Sequence, residues 1–370
     1  MRLTTERETI LAALSFVTKY AATDSKIPVI ADVLVDAKDG TVSLTATDLD
    51  QSATDSIKAD VKEHGSALLP ARTLLNAVKS AGGSEVTIDA GDKQATVACG
   101  KSKFKLPVML GTDFPLLPML HSEAVTSFTI GALSQIDSRV LFAAEPDKGR
   151  YFLAGVSWRV NGDQIEFVAT DGKKFSLLAI PAPIEARDMP SIIVPRFDAP
   201  AWAGDVHISI SDLFIRYQCG TQVVASKLIE ATYPDYHRLI PKNETVLLFD
   251  RSELMAALSR MAIIASASDH SVMFVGRDGK VTISAISGDS EAVDEIAYNG
   301  DDFQIAIIHH VITPILASFD CETIEWRFAG HETGVTIHDP NDESRTAFAM
   351  PYRDPRMNSI ASSGFREAAE

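Results

Sequence analysis

The chain has 370 residues, which suggests two or three domains. Hydrophobic residues make up 46% and charged residues 23%, so packed cores are expected and a disordered chain is excluded. The net charge of −16 argues against nucleic-acid binding through a broad basic surface, but not against a few cations gathered on one internal face.

No apolar run approaches the ~18 residues of a membrane span. The N-terminal MRLTTERETI lacks the apolar segment of a signal peptide. A cytoplasmic protein without membrane contact is expected. Cys99, Cys219 and Cys321 are odd in number and lie far apart, so reduced thiols are expected rather than a disulfide framework or zinc knuckle.

In chain order, Leu3 to Ala21 reads as a short strand running into an amphipathic helix. Val42 to Ala53, VSLTATDLDQSA, reads as strand, turn, strand. LLPARTLLNAVKSA, Leu68 to Ala81, is a strand and helix with Pro70 near the first turn, where a missing N–H does least harm. FKLPVMLGTDFP closes this first third. The pattern then repeats. Phe128 to Ala144 is again strand and helix, and Ile165 to Ser176, IEFVATDGKKFS, repeats the ATD string 123 residues on. Within it, Asp171-Gly172 predicts a hairpin with a type I′ turn. IVPRFDAPAWAG, Ile193 to Gly204, is the second helix of the copy, which Pro200 should cut short.

The last third opens at Leu247 to Ala265, which shares AALS with the first. It continues through Val281 to Ala292, which has lost ATD, and Ile305 to Phe319, a helix that Pro314 should bend or delay. Six helices are thus predicted, over 6–21, 70–81, 131–145, 194–203, 251–266 and 309–319. The predicted class is α+β: three repeated domains, each of two helices packed on antiparallel sheets. Their bounds are 1–122, 123–244 and 245–353, with a flexible polar tail over 354–370.

No catalytic constellation stands out. There is no GxSxG elbow and no phosphate-binding glycine loop. His309 and His310 are adjacent rather than four apart, and His331, His338 and Asp339 suit solvated strand and turn positions. Asp289 to Asp294 lacks calcium-loop spacing. No catalytic residue, metal site or cofactor is expected.

Several strings in fixed order carry a family resemblance: TERE, LPARTLL, RYFLAGV (Arg150 to Val156), VATDGKKF, IVPR, SKLIEATYPDYHRLIPKN (Ser226 to Asn243) and MPYR (Met350 to Arg353). Over about residues 1–353 the chain resembles the bacterial DNA polymerase III beta subunit, the sliding clamp family, as a divergent member with a C-terminal extension. The resemblance implies a head-to-tail homodimer closed into a six-domain ring. Duplex DNA would thread it without sequence readout, with helices lining the hole. The implied role is non-catalytic processivity. Polymerase catalytic subunit, clamp loader and repair polymerases would dock through clamp-binding peptides.

Carried over position by position, the peptide groove falls on Leu153, Thr170, Gly172, Lys173, Lys174, Phe175, Pro234, Asp235, Arg238, Leu239, Phe348, Met350, Pro351, Tyr352 and Arg353. Leu153, Phe175, Leu239, Phe348 and Met350 would form apolar subsites for an extended peptide. Lys174, Arg238 and Arg353 would hold carboxylates at the rim. The DNA-facing candidates are Lys26, Arg72, Lys79, Arg139, Lys148, Arg196, Arg251 and Arg260. The six predicted helices sum to +2, which leaves −18 for the remainder, a contrast that suits a lining tolerant of DNA inside a repelling wall. Phe104 on one side and Ile263-Ile264 on the other match the family's apolar plug between subunits; the same residues suit domain core equally.

There are departures from the family pattern. Lys173, Lys174 and Phe175 replace the usual His-Arg-Leu after ATDG, and a lysine lacks arginine's bidentate fork. Ile308 and Val311 fall on polar and aromatic family positions. Asp24 and Asp147 occupy basic or polar ones, and 17 residues follow Arg353. These features raise an alternative: a clamp-fold regulatory paralogue that binds or blocks replication proteins without encircling DNA.

Overall fold

The computed structural model describes residues 1–23, 26–115, 117–131, 133–146, 148–197, 200, 202, 204–240, 245–265, 271–330 and 332–354, with backbone alone for Ser134, Lys148 and Leu239. Asp24, Asp147, His331 and the tail from 355 onward lie outside them. The chain forms two compact units. One comprises residues 1–134, 183–189 and 198–228; the other comprises 135–182, 190–197 and 229–370. The division passes through the middle third of the sequence.

The first unit holds two antiparallel sheets. A five-stranded sheet runs in the order Asp60–Glu63, Arg2–Glu6, Glu85–Ala90, Gln94–Cys99, Ser102–Pro107. A nine-stranded sheet runs Met109–Leu110, Gly65–Pro70, Asp32–Lys38, Thr41–Thr47, Gln51–Lys58, Gln222–Lys227, Phe214–Cys219, Val206–Ile210, Thr126–Ile130. Two-residue alternation builds these strands: Val86, Ile88 and Ala90 turn inward on one strand, Ala95, Val97 and Cys99 on the next. Helix α1 (Arg7–Val17) buries the stripe Ile10, Ala13, Leu14 and Val17. Helix α2 (Ala71–Ser80) buries Ala71, Leu74, Ala77 and Val78, with Pro70 at its N-cap.

The second unit repeats the scheme. Helix α3 (Leu133–Val140) begins in the first unit's last residues and continues here. The unit's nine-stranded sheet runs Ile192–Pro195, Gly155–Asn161, Gln164–Thr170, Lys174–Pro181, Asp342–Ala349, Val335–Asp339, Thr323–Phe328, Thr245–Asp250, Asn299–Gly300. Its four-stranded sheet runs Ser290–Ala297, Lys280–Ser287, Ser271–Arg277, Phe303–Ile308. Helix α4 (Arg251–Ala265) and helix α5 (His309–Ala317) pack on a core centred on Phe249, Phe274 and Trp326. Pro314 lies inside α5 and does not end it.

Each nine-stranded sheet is a joint between successive thirds of the sequence. In the first joint Gln51–Lys58 pairs with Gln222–Lys227, and in the second Lys174–Pro181 pairs with Asp342–Ala349. The helix expected over 194–203 is not found in its described residues. Ile192–Pro195 is strand, and Arg196, Phe197, Pro200 and Trp202 have no regular structure. Pro195 and Pro200, five residues apart, remove N–H groups a short helix needs.

The ATD repeat has a physical basis in two of the thirds. Thr47 Oγ1 donates to Gln51 O at 2.7 Å, and Asp48 Oδ1 accepts from the N–H groups of Asp50 and Gln51. Thr170 Oγ1 donates to Lys174 O at 2.7 Å, and Asp171 Oδ1 accepts from Lys173 and Lys174. The turn is thus one residue later than the sequence suggested. Its centre is Gly172-Lys173, and Gly172 alone has positive φ, at 84°, where the type I′ turn would have required it of Asp171 as well.

Candidate functional site

The turn Asp171–Lys174 stands beside the C-terminal end of the last strand. Lys174 pairs with Ala349 and Phe175 with Phe348, and the Met350 N–H continues the ladder to Lys173 O at 2.8 Å. The rings of Phe175 and Phe348 stack, 4.9 Å between centroids and 7° between planes. Both are buried, as is Leu153. These three are therefore closed off from solvent rather than open subsites. Met350, the residue after the last strand, is 51% exposed. The side chain of Leu239 lies outside the described residues.

Lys174 departs from the expected rim role. Its ammonium is buried and ion-paired with Asp171 in its own turn. Burial would raise the Asp171 carboxyl, but hydrogen bonds from Lys174 and the Lys173 and Lys174 amides outweigh it and hold it below the usual carboxylate range. The exposed cations nearby are Lys173, Arg238, paired with Asp235 at 2.9 Å, and Arg353, 3.9 Å from Glu332. Pro234 and Asp235 line a separate cleft of about 370 Å³ with Arg159, Ile193 and Tyr236. The Tyr236 hydroxyl fastens this segment to the buried Glu166 carboxylate. Tyr352 packs instead on Met273 and Ala306 of the four-stranded sheet, and its N–H donates to Ala306 O at 2.7 Å. Pro351 bridges to Ile307. Asp354, the first residue of the extension, is buried and accepts from Ser271 Oγ at 2.9 Å.

Two arginines at this site escaped the sequence argument. Arg150 is ion-paired with Glu145 and lies over Gly172, where a Cβ would come 2.9 Å from its Nη1. The string RYFLAGV contained it, but nothing in the string pointed to the turn. Arg345 is buried on the last strand. It donates to Ser318 O and Oγ and to Arg139 O, and its guanidinium lies 3.9 Å from the Phe319 ring centroid. Burial and then the Arg139 charge lower its pKa to about 10. Ser176 Oγ also donates to Arg139 O, at 2.8 Å. Both paired strands therefore grip the C-terminus of α3, and Arg345 also grips that of α5, where a positive charge is favoured.

The DNA-facing candidates divide. Lys26, Arg72 and Lys79 are exposed. Arg139 sits 3.6 Å from Asp342, Arg251 donates to Cys321 O, Arg260 is ion-paired with Asp294, and Arg196 donates to Leu141 O. The Lys148 side chain lies outside the described residues. Phe104 borders a cleft with Thr73, Asn76 and Lys79 of α2. Ile263 is 75% exposed, while Ile264 packs partly on the core. Among the described residues no cluster of His, Cys, Asp or Glu could hold a metal, and no helix is long and apolar enough to cross a membrane. The three cysteines are free thiols.

Three successive family models match the chain: the N-terminal domain of the DNA polymerase III beta subunit over residues 1–118, its central domain over 131–235 and its C-terminal domain over 237–353. The chain belongs to the DNA polymerase III beta-subunit family. The beta sliding clamp of Caulobacter vibrioides is 28% identical over 95% of this chain and all of its own length, and that of Escherichia coli 27% over the same shares. The crystal structure of a DnaN sliding clamp from Bartonella birtlesii bound to griselimycin matches with TM-score 0.91 at 26% identity, covering 96% of this chain and 100% of that one. The beta subunit from Pseudomonas aeruginosa matches with TM-score 0.88. The three-domain clamp fold and the sliding clamp function follow, and with them a non-catalytic processivity role in DNA replication.

Proposed function

We propose that two copies of this chain close head to tail into a six-domain ring around duplex DNA, in the cytoplasm, with domains at 1–122, 123–244 and 245–353. The observation that carries this reading is a strand count. Each joint inside the chain joins five strands of one third to four of its neighbour. One five-stranded and one four-stranded sheet remain, ending in the edge strands Ser102–Pro107 and Ser290–Ala297. A second copy would complete both as further nine-stranded sheets and remove the edges. Phe104 beside one edge and the exposed Ile263 on α4, which packs against the other, supply apolar contact. Lys26, Arg72 and Lys79 are the cations most available to sliding DNA, with Arg139, Arg196, Arg251 and Arg260 partly engaged within the chain.

Replication proteins (polymerase catalytic subunit, loader and repair polymerases) would dock an extended peptide over the floor of Leu153, Phe175 and Phe348, against Met350 and the rim of Lys173, Arg238 and Arg353. A micromolar affinity, about −8 kcal/mol, permits exchange of partners. Light scattering at micromolar concentration should give a dimer. After loading, the protein should stay on circular DNA and slide off once the circle is cut. A strict monomer, or equal loss from both DNAs, would refute the ring.

A further inference from the structure

Arg159 stands across the ladder from Glu166, so both side chains rise from one face of the nine-stranded sheet. They form no ion pair. Glu166 is buried and already engaged: the Tyr236 hydroxyl and Asn161 Nδ2, at 2.8 Å, donate to it, and His237 Nε2 lies 3.2 Å away. Asp235, the other acid beside the cleft, is taken by Arg238 at 2.9 Å. Arg159 itself is exposed and, among the described residues, makes no hydrogen bond or ion pair. An uncommitted guanidinium fork therefore stands on the wall of the cleft of about 370 Å³.

The surroundings suit an anionic group on a polypeptide. Ser157 lies two residues along the same strand as Arg159, and Ser191 comes level with it on the edge strand, just before the Ile192 that pairs with Trp158. Ile192 and Ile193 supply an apolar wall. The cleft also adjoins the proposed partner groove. Pro234 and Asp235 belong to both, and Tyr233, which lines the cleft, reaches the backbone of Thr170 in the groove. Glu166 and Thr170 lie four residues apart on one strand and on the same face. Cleft and groove are thus separated by about 13 Å, the span of about four residues of extended chain.

We propose that this cleft is a second subsite for the docked partner peptide, taking an Asp or Glu side chain about four residues beyond the apolar part, in the fork of Arg159 beside the Ser157 and Ser191 hydroxyls. This rests on the peptide groove proposed above. The subsite selects among partners more than it sets their overall affinity, because an exposed ion pair of this kind changes binding only about fivefold. It also acts at a distance from the rim cations Lys173, Arg238 and Arg353, so it reads a different part of the peptide.

The test uses the full-length protein and a five-residue hydrophobic clamp-binding peptide, extended at one end or the other by a four-residue Gly-Ser spacer and then Glu-Glu or Gln-Gln. Fluorescence anisotropy should show the Glu-Glu form binding about fivefold tighter than the Gln-Gln form for one of the two ends, with the difference shrinking as salt is raised. Arg159→Gln should abolish that difference while leaving the Gln-Gln affinity and the melting temperature unchanged, and Arg159→Lys should restore part of it. Equal binding of Glu-Glu and Gln-Gln at both ends would overturn the subsite and leave the groove standing. A difference that survives Arg159→Gln would assign it to the rim cations and likewise overturn the subsite. Failure of every peptide to bind, the unextended one included, would overturn groove and subsite together.

Discussion

Phe175 and Phe348 stack face to face across the joint between the second and third repeats, each shielding the other from solvent. Part of the chemistry of the proposed groove is thereby used to hold two repeats together. Phe348→Ala should destabilise the second unit by about 3 kcal/mol through lost burial and the cavity left behind. It should also open an apolar slot at the groove floor. Urea unfolding checks the first effect, and the affinity of a hydrophobic clamp-binding peptide the second. Phe348→Leu should lose less than half as much stability.

Arg345 ties two helix C-termini to one strand. Arg345→Ala leaves the Arg139 and Ser318 carbonyls short of a donor and should lower stability by about 3 kcal/mol. Arg345→Lys keeps the charge but not the fork, and should recover only part of the loss. Urea midpoints of the two variants distinguish loss of charge from loss of geometry.

Lys174→Met should cost about 3 kcal/mol, because it removes the ammonium partner of the largely buried Asp171 carboxylate. Peptide binding should weaken through disorder of the turn rather than loss of a rim contact. The contrasting variant is Lys173→Met on the exposed neighbour, which should leave the melting temperature unchanged and lower the affinity for acidic peptides. Equal melting temperatures for the two variants would contradict the assignment.

Stability should depend on pH with a definite sign. Burial raises the Asp137 carboxyl to about 7 and that of Asp32 to about 6, from a usual value of 3.8. Between pH ~4 and ~7 the folded chain holds more protons than the unfolded one, so stability falls as pH rises through that window. Asp171 acts oppositely: its depressed pKa gives stability that is present above pH ~4 and lost on further acidification. Melting temperature should therefore decline from pH 5 to 8, and Asp137→Asn should flatten the decline. An unchanged slope in that variant would rule out Asp137 as its source.

The repeat, the helices α1, α2, α4 and α5, and the ATD hairpins were legible in the sequence because each rests on local pattern: apolar stripes, turn residues and capping prolines. The region around 194–203 was not, since an apolar run with one arginine fits helix and strand alike until the prolines are placed against a neighbour. Lys174 was misjudged for a related reason. Adjacent lysines look equally solvated in a sequence, yet Lys173 lies in the exposed turn while Lys174 opens a strand whose first three residues are all buried. Arg345 left no local signal at all, because its acceptors lie 27 and 206 residues away. The stacking of Phe175 on Phe348 is likewise a contact 173 residues apart in sequence, beyond any periodicity.

The two internal joints bring together strands that the polypeptide already tethers. Their effective concentration is set by chain length and does not change with dilution. The open edges at Ser102–Pro107 and Ser290–Ala297 have no such tether, so mass action governs them alone. A closed ring would therefore part first at the edges between copies, leaving each chain an intact half. Its lifetime on a closed circle would fall with subunit dilution while the fold of each half stays untouched.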